Sequence, residues 1–197
     1  MIKPRNLAIL MQRHADFIST SRYDPTRRTC FVSYHDADFG EVESFIRQFG
    51  VEFIPRCVGV TEQDGFVGSL DEEYIKSRIR QEHLGDSTVT IVLIGRETWY
   101  QKFNDWEIAA SLDDDPLRRR NGILAMPLPS LRNRAILPER IRDNYVVADN
   151  DRSYVIYESY PTTPEGFRAK IDRAEAVRFD AARQVDNSRP IRRTDAT

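Results

Sequence analysis

The sequence predicts an α/β fold: a five-stranded, mainly parallel sheet with helices on both faces. Three observations carry this expectation. Short continuous apolar runs recur five times along 197 residues, the pattern of strands buried on both faces. Segments with apolar residues at helical spacing lie between most of them. Glycine, proline and small polar residues punctuate the changes of pattern. Strands alternating with helices close into a parallel sheet covered on both sides.

The elements follow in order. Residues 5–20 carry a weak helical pattern, with Leu7, Leu10, Met11, His14, Phe17 and Ile18 on one side, and the polar run from Ser19 to Thr26 breaks it. Residues 1–28 are therefore expected to form an N-terminal helical extension outside the main fold. Strand one is read at Thr29–Tyr34, followed by the polar turn His35–Asp38. Phe39, Val42, Phe45, Ile46 and Phe49 then share a helical face, with Asp38 as the expected N-cap and Gly50 as the stop. Strand two is read at Val51–Val58, before the glycine-rich loop Gly59–Gly68.

Ser69 and Glu72 have capping-box spacing and open a helix that runs to Leu84, where Gly85 ends it. Strand three is Thr88–Ile94. A helix over residues 102–112 carries Glu107 among apolar neighbours. Strand four is Gly122–Pro127 and strand five is Tyr154–Tyr157. Thr163 as N-cap and Pro164 at the first helical position start a last helix, with Phe167, Ile171, Ala174 and Val177 facing inward. The α/β domain is placed at residues 29–185. The polar stretch 186–197 is expected to be a disordered tail.

Five such units suggest a flavodoxin-like strand order, 2-1-3-4-5. Its switch point lies between strands one and three, and ligands bind beyond the carboxyl ends of the strands there. The turn His35–Asp38 follows strand one, and the segment leading to Glu107 follows strand three. The topology thus sets them on opposite walls of one crevice.

Composition narrows the function. The net charge is −2, which argues against a nucleic-acid-binding face. No apolar run approaches the ~20 residues that cross a bilayer. The first residues lack the pattern of a signal peptide, so a cytoplasmic protein is expected. Cys30 and Cys57 read as small buried hydrophobes. His14, His35 and His83 are scattered, without zinc spacing, and no metal is expected. The loop Gly59–Gly68 matches neither a phosphate-binding nor a dinucleotide-binding glycine pattern. Phe66 in that loop could cap a base or touch a second copy of the chain, which makes a homo-oligomer with shared sites conceivable. Asp113–Asp115 and Arg118–Arg120 read as a solvated charged loop.

Glu107 is the acid to weigh. It shares a helical stripe with Phe103 and Ala110, beside Trp106 and Ile108. Desolvation in such company raises a carboxyl pKa. The group could bind ribose hydroxyls, stabilise a cation or move a proton. Spacing alone favours an exposed glutamate beside a buried Trp106. Ser33 and Tyr34 close strand one, His35 and Asp36 lie in the turn behind it, and these groups could face the same crevice.

Three segments then carry a resemblance. Arg28–Asp38, the strand Val89–Gly95 with Glu97 and Thr98 behind it, and Trp106–Ile108 look like the bacterial TIR-like domains of Thoeris antiphage defence. The likeness spans about Thr29 to Leu112 and is looser through strands four and five. It implies a flavodoxin-like TIR fold and an NAD⁺-consuming activity, with Glu107 at the position of the family's catalytic glutamate. Ser33, Tyr34, His35 and Asp36 would shape the nucleotide pocket, and Trp106 would buttress Glu107. The implied product is an ADP-ribose-derived signal nucleotide that activates a separate effector protein. NAD⁺ is the substrate, and neither cofactor nor metal is implied. Two other readings stand beside this one: a non-catalytic TIR-like interaction module, and a nucleoside deoxyribosyltransferase-like enzyme, which also sets a glutamate near a ribose. The extension before Thr29 is longer than a minimal domain of this kind, and the residues after Asp113 carry no matching motif.

Overall fold

The computed structural model describes residues 26–114, 119–132, 134–146, 152–180 and 183–195. Within them, five strands pair in the order β2-β1-β3-β4-β5, every neighbouring pair parallel. They are β1 Arg28–Ser33, β2 Phe53–Arg56, β3 Val89–Ile94, β4 Gly122–Pro127 and β5 Val155–Tyr157. The expected sheet and its order are both present. The main helices are α1 Phe39–Phe49, α2 Glu72–Ile79, α3 Lys102–Leu112, α4 Glu139–Asp143 and α5 Pro164–Val177. The helix expected over residues 5–20 lies outside the described residues.

Hydrophobic burial sets the layers. α1 and α5 cover one face, where Phe45, Phe49, Phe53 and Phe167 pack ring against ring at centroid distances of 5.2–6.2 Å. Each fully buried phenylalanine contributes about 1.5–3 kcal/mol. α2 and α3 cover the other face, with Ile75, Ile79, Ala109 and Ala110 around Phe31 and Trp106. β2 lies at the sheet edge, the place where Pro55, lacking an N–H, is tolerated in a strand.

Two of the expected caps differ. α2 is capped by Asp71, whose carboxylate accepts from the Tyr74 N–H at 3.0 Å, and Ser69 instead accepts from the Asp71 N–H. Glu72 closes no capping box; its carboxylate accepts from the Ile191 N–H. Asp38 makes no side-chain cap on α1. His35 caps the short turn Asp36–Asp38 with its Nδ1. The expected cap of α5 is present: Thr163 accepts from the Gly166 N–H. Gly85, with φ of 52°, ends a π-helical turn at Arg80–Leu84 that continues α2.

The largest departure is at the C-terminus. Residues 186–195 were expected to be a disordered tail and instead form a strap across α3. Ile191 is buried, and the Arg192 N–H and carbonyl bond to Asp105 and to the Trp106 indole N–H respectively. Asn187 donates to the Ala109 carbonyl and accepts from Arg140. Polar composition suggests solvation, but here the folded domain supplies charged partners for the polar residues. The strap explains why α3 is buried from Asn104 to Leu112 rather than along one stripe. A buried polar chain then ties α3 to the sheet: Ser111 donates to the Glu107 carbonyl and contacts Thr90, which accepts from Asn121. No helix among the described residues is long and apolar enough to cross a membrane.

Candidate functional site

The site forms where β1 ends, where the chain leaves β2, and along the first half of α3. β1 and β3 run side by side, with Ser33 in register with Val92. This sets Ser33 at the carboxyl end of the central strands, where the strand order switches. Glu107 reaches the same place from α3. Its Oε2 accepts from the Ser33 hydroxyl at 2.6 Å, and its Oε1 accepts from the Val60 N–H at 2.9 Å. Asn104, one turn earlier on α3, donates to Ser33 Oγ at 3.0 Å and fixes that hydroxyl's direction.

Glu107 is 3% exposed, so the exposed-glutamate reading does not hold. Burial is the main reason its carboxyl is pushed from the ordinary 4.5 up to about 7. The Ser33 and Val60 hydrogen bonds pull the other way, and the fields of Asp36 and Asp64 push it higher. No cation among the described residues offsets this burial. The carboxyl is thus poised near neutrality, able to hold or release a proton.

Gly59 makes the close approach possible. A Cβ at that position would lie 2.5 Å from Glu107 Oε1. Any larger residue there would force the carboxylate or the loop to shift, so glycine lets the Val60 N–H approach Glu107 this closely.

The other sequence-predicted residues divide. Asp36 acts on Glu107 through its field. Tyr34 is partly buried, and its hydroxyl is held far above its usual pKa by burial first, then by Cys57, Asp36 and Glu107. It stays a neutral hydroxyl beside the acid. His35 makes no direct contact with Glu107. Its Nδ1 accepts from the Ala37 N–H and stands 3.7 Å from Glu97 Oε2. Trp106 points into the second core cluster with Val60 and Phe66, and so packs against the loop that holds Glu107. Phe66 is buried with its ring nearly perpendicular to that of His83, and cannot cap a base in this state.

Sequence reasoning passed over Asn104, Gly59, Val60 and Asp64. Asn104 had a readable signal, because it lies three residues before Glu107 on the same helix. The other three become neighbours only when the loop after β2 folds back.

The family described as Thoeris protein ThsB, TIR-like domain, matches residues 31–133, more than half of the chain. That span contains Ser33, Gly59, Val60, Asn104 and Glu107. No curated protein matches the chain.

Proposed function

The chain belongs to the Thoeris ThsB TIR-like family, a defence-related group, and on that premise we propose that it cleaves NAD⁺ between nicotinamide and ribose. The cleaved molecule becomes an ADP-ribose-derived signal nucleotide that switches on a separate antiphage effector protein. The observation that carries this reading is Glu107: a buried carboxyl at the sheet's switch point, held by two hydrogen-bond donors and without a cation among the described residues.

The chemistry suits that group. The ribose–nitrogen bond breaks with its electron pair leaving to the pyridinium nitrogen, which neutralises the charge on nicotinamide. The leaving group needs no proton, so no general acid is required. Positive charge develops on the ribose, as in glycoside cleavage. Glu107 faces that charge in a dry site, where a fixed carboxylate counts for more than in water. Asp36 and Asp64 add to the negative field. As the cation forms, the ionised state of Glu107 becomes the favoured one. Ser33 and the Val60 N–H hold one lone pair on each oxygen, and the remaining lone pairs are directed to ribose hydroxyls. Water or a nucleophile within the same molecule then takes the ribose carbon. Because Glu107 is covered by Gly59 and Val60, substrate entry requires the loop 59–68 to lift.

The test incubates the purified protein with NAD⁺, with and without lysate from phage-infected cells, and follows nicotinamide and nucleotide products by mass spectrometry. The expected result is nicotinamide release with an ADP-ribose-type product, falling at least about 100-fold in Glu107→Gln. Full activity in Glu107→Gln would overturn the role of Glu107. Protein inert in every condition would favour an interaction module, and base exchange on nucleosides with NAD⁺ left intact would favour a deoxyribosyltransferase.

A further inference from the structure

A second cluster lies behind the loop that covers Glu107. Asp64, Glu82 and His83 bring one ligand atom each within 4.8 Å of the others. We propose that these three side chains bind a divalent cation of the zinc class.

His83 supplies the main observation. It is 8% exposed, and its Nδ1 lies 2.9 Å from the Val58 carbonyl oxygen. A carbonyl only accepts, so Nδ1 carries the hydrogen and the neutral ring has its lone pair on Nε2. Metal-binding histidines are oriented in this way by a backbone carbonyl. Nε2 is buried without a hydrogen-bond partner among the described residues, 3.4 Å from Asp64 Oδ1. A lone pair facing a carboxylate oxygen is unfavourable, and a cation between them removes the conflict. The spacing also fits: two ligands about 2.0–2.2 Å from a tetrahedral ion lie roughly 3.3–3.5 Å apart.

The remaining parts are free to serve. Asp64 Oδ2 is occupied by the Thr61 N–H at 2.6 Å and the Thr61 hydroxyl at 3.1 Å, which orients the side chain and leaves Oδ1 toward His83. Glu82 sits on the π-helical turn Arg80–Leu84, a form of turn often found at functional sites. It pairs with Arg78 at the surface. Such exposed pairs are worth at most about 1 kcal/mol, so Glu82 can leave Arg78 for a metal at small cost. The Phe66 ring packs nearly perpendicular to the imidazole and shelters it. One imidazole and two carboxylates, with a fourth position for water, suit Zn²⁺ better than Ca²⁺ or Mg²⁺, which prefer all-oxygen shells. No linear spacing announces the site, because position 64 lies on a loop and positions 82 and 83 lie on a helix end. The cation would join that loop to the helix, and the same loop places the Val60 N–H on Glu107.

The test titrates the full chain, first stripped with chelator, with Zn²⁺ by calorimetry, with Ca²⁺ and Mg²⁺ as controls. Expected are one equivalent of Zn²⁺, no saturable Ca²⁺ or Mg²⁺ binding, and affinity about 10-fold weaker or worse in His83→Gln and in Glu82→Gln. Glu82 is on the surface, so Glu82→Gln keeps the test valid if the buried substitution disturbs folding. Arg78→Gln removes the competing cation and should tighten binding severalfold. Absence of saturable Zn²⁺ binding would overturn the proposal. Binding unchanged in both His83→Gln and Glu82→Gln would place the metal elsewhere and overturn it equally.

Discussion

Asp105 and Glu107 lie two residues apart on one helix, are 6% and 3% exposed, and are held in opposite ways. Asp105 accepts from Arg140 Nε at 2.8 Å and from the Arg192 N–H at 2.9 Å, and Arg140 is itself buried. Glu107 has a hydroxyl, a backbone N–H and two like charges nearby. The first carboxylate is paired and closes the strap over α3. The second is unpaired, and its burial appears as a raised pKa. A buried acid with a guanidinium is a structural joint, whereas a buried acid without one holds a perturbed proton affinity of the kind that clusters at functional sites.

The largest expected effect breaks the structural side. Asp105→Ala leaves Arg140 buried without its carboxylate and frees the strap, and should lower stability by about 3–5 kcal/mol in urea unfolding. A loss below about 1 kcal/mol would mean the pair is not a joint.

The next effect has the opposite sign. The folded pKa of Glu107, about 7, lies above the ordinary 4.5 that it regains on unfolding. Between those values the folded chain holds a proton that the unfolded chain has lost. Wild-type stability therefore falls as pH rises from about 4.5 to about 7 and levels off above. Glu107→Gln escapes this penalty. It should be more stable than wild type by about 3 kcal/mol at pH 8, at roughly 1.4 kcal/mol per tenfold, with the difference gone at pH 4. Equal stability at both pH values would contradict the unpaired state of Glu107.

The smallest effect sharpens the site itself. Gly59→Ala sets a methyl against Glu107 Oε1 and forces the loop away. Losing the Val60 hydrogen bond and the cover of the loop should move the Glu107 titration away from pH 7 and cost about 1–2 kcal/mol. Unchanged titration in this variant would show that the loop does not hold the acid.

The contrast between the two acids also shows what the sequence made legible. The sheet order, the helix that carries Glu107 and the place of Ser33 beside it follow from apolar periodicity and topology. These are regular patterns that local residues enforce. The strap was not legible, because a polar run reads as solvated until the charges of Arg140, Asp105 and Glu72 are in place to receive it. For the same reason α3 read as half exposed, and spacing alone could not place Glu107 inside. Gly59 and Val60 were illegible because they meet Glu107 across 47 residues or more through an irregular loop. Asp71 displaced Ser69 as the cap of α2, since Glu72 is committed to the strap and the nearer carboxylate reaches the first-turn N–H.

The most direct test of the central contrast is the titration of Glu107 itself, followed by NMR with carboxyl-labelled glutamate in wild type and Glu107→Gln. One carboxyl resonance is expected to titrate near pH 7 in wild type and to be missing from the variant. If every glutamate of the wild-type protein titrates below pH 5, Glu107 is an ordinary paired or solvated acid, which contradicts the contrast between it and Asp105.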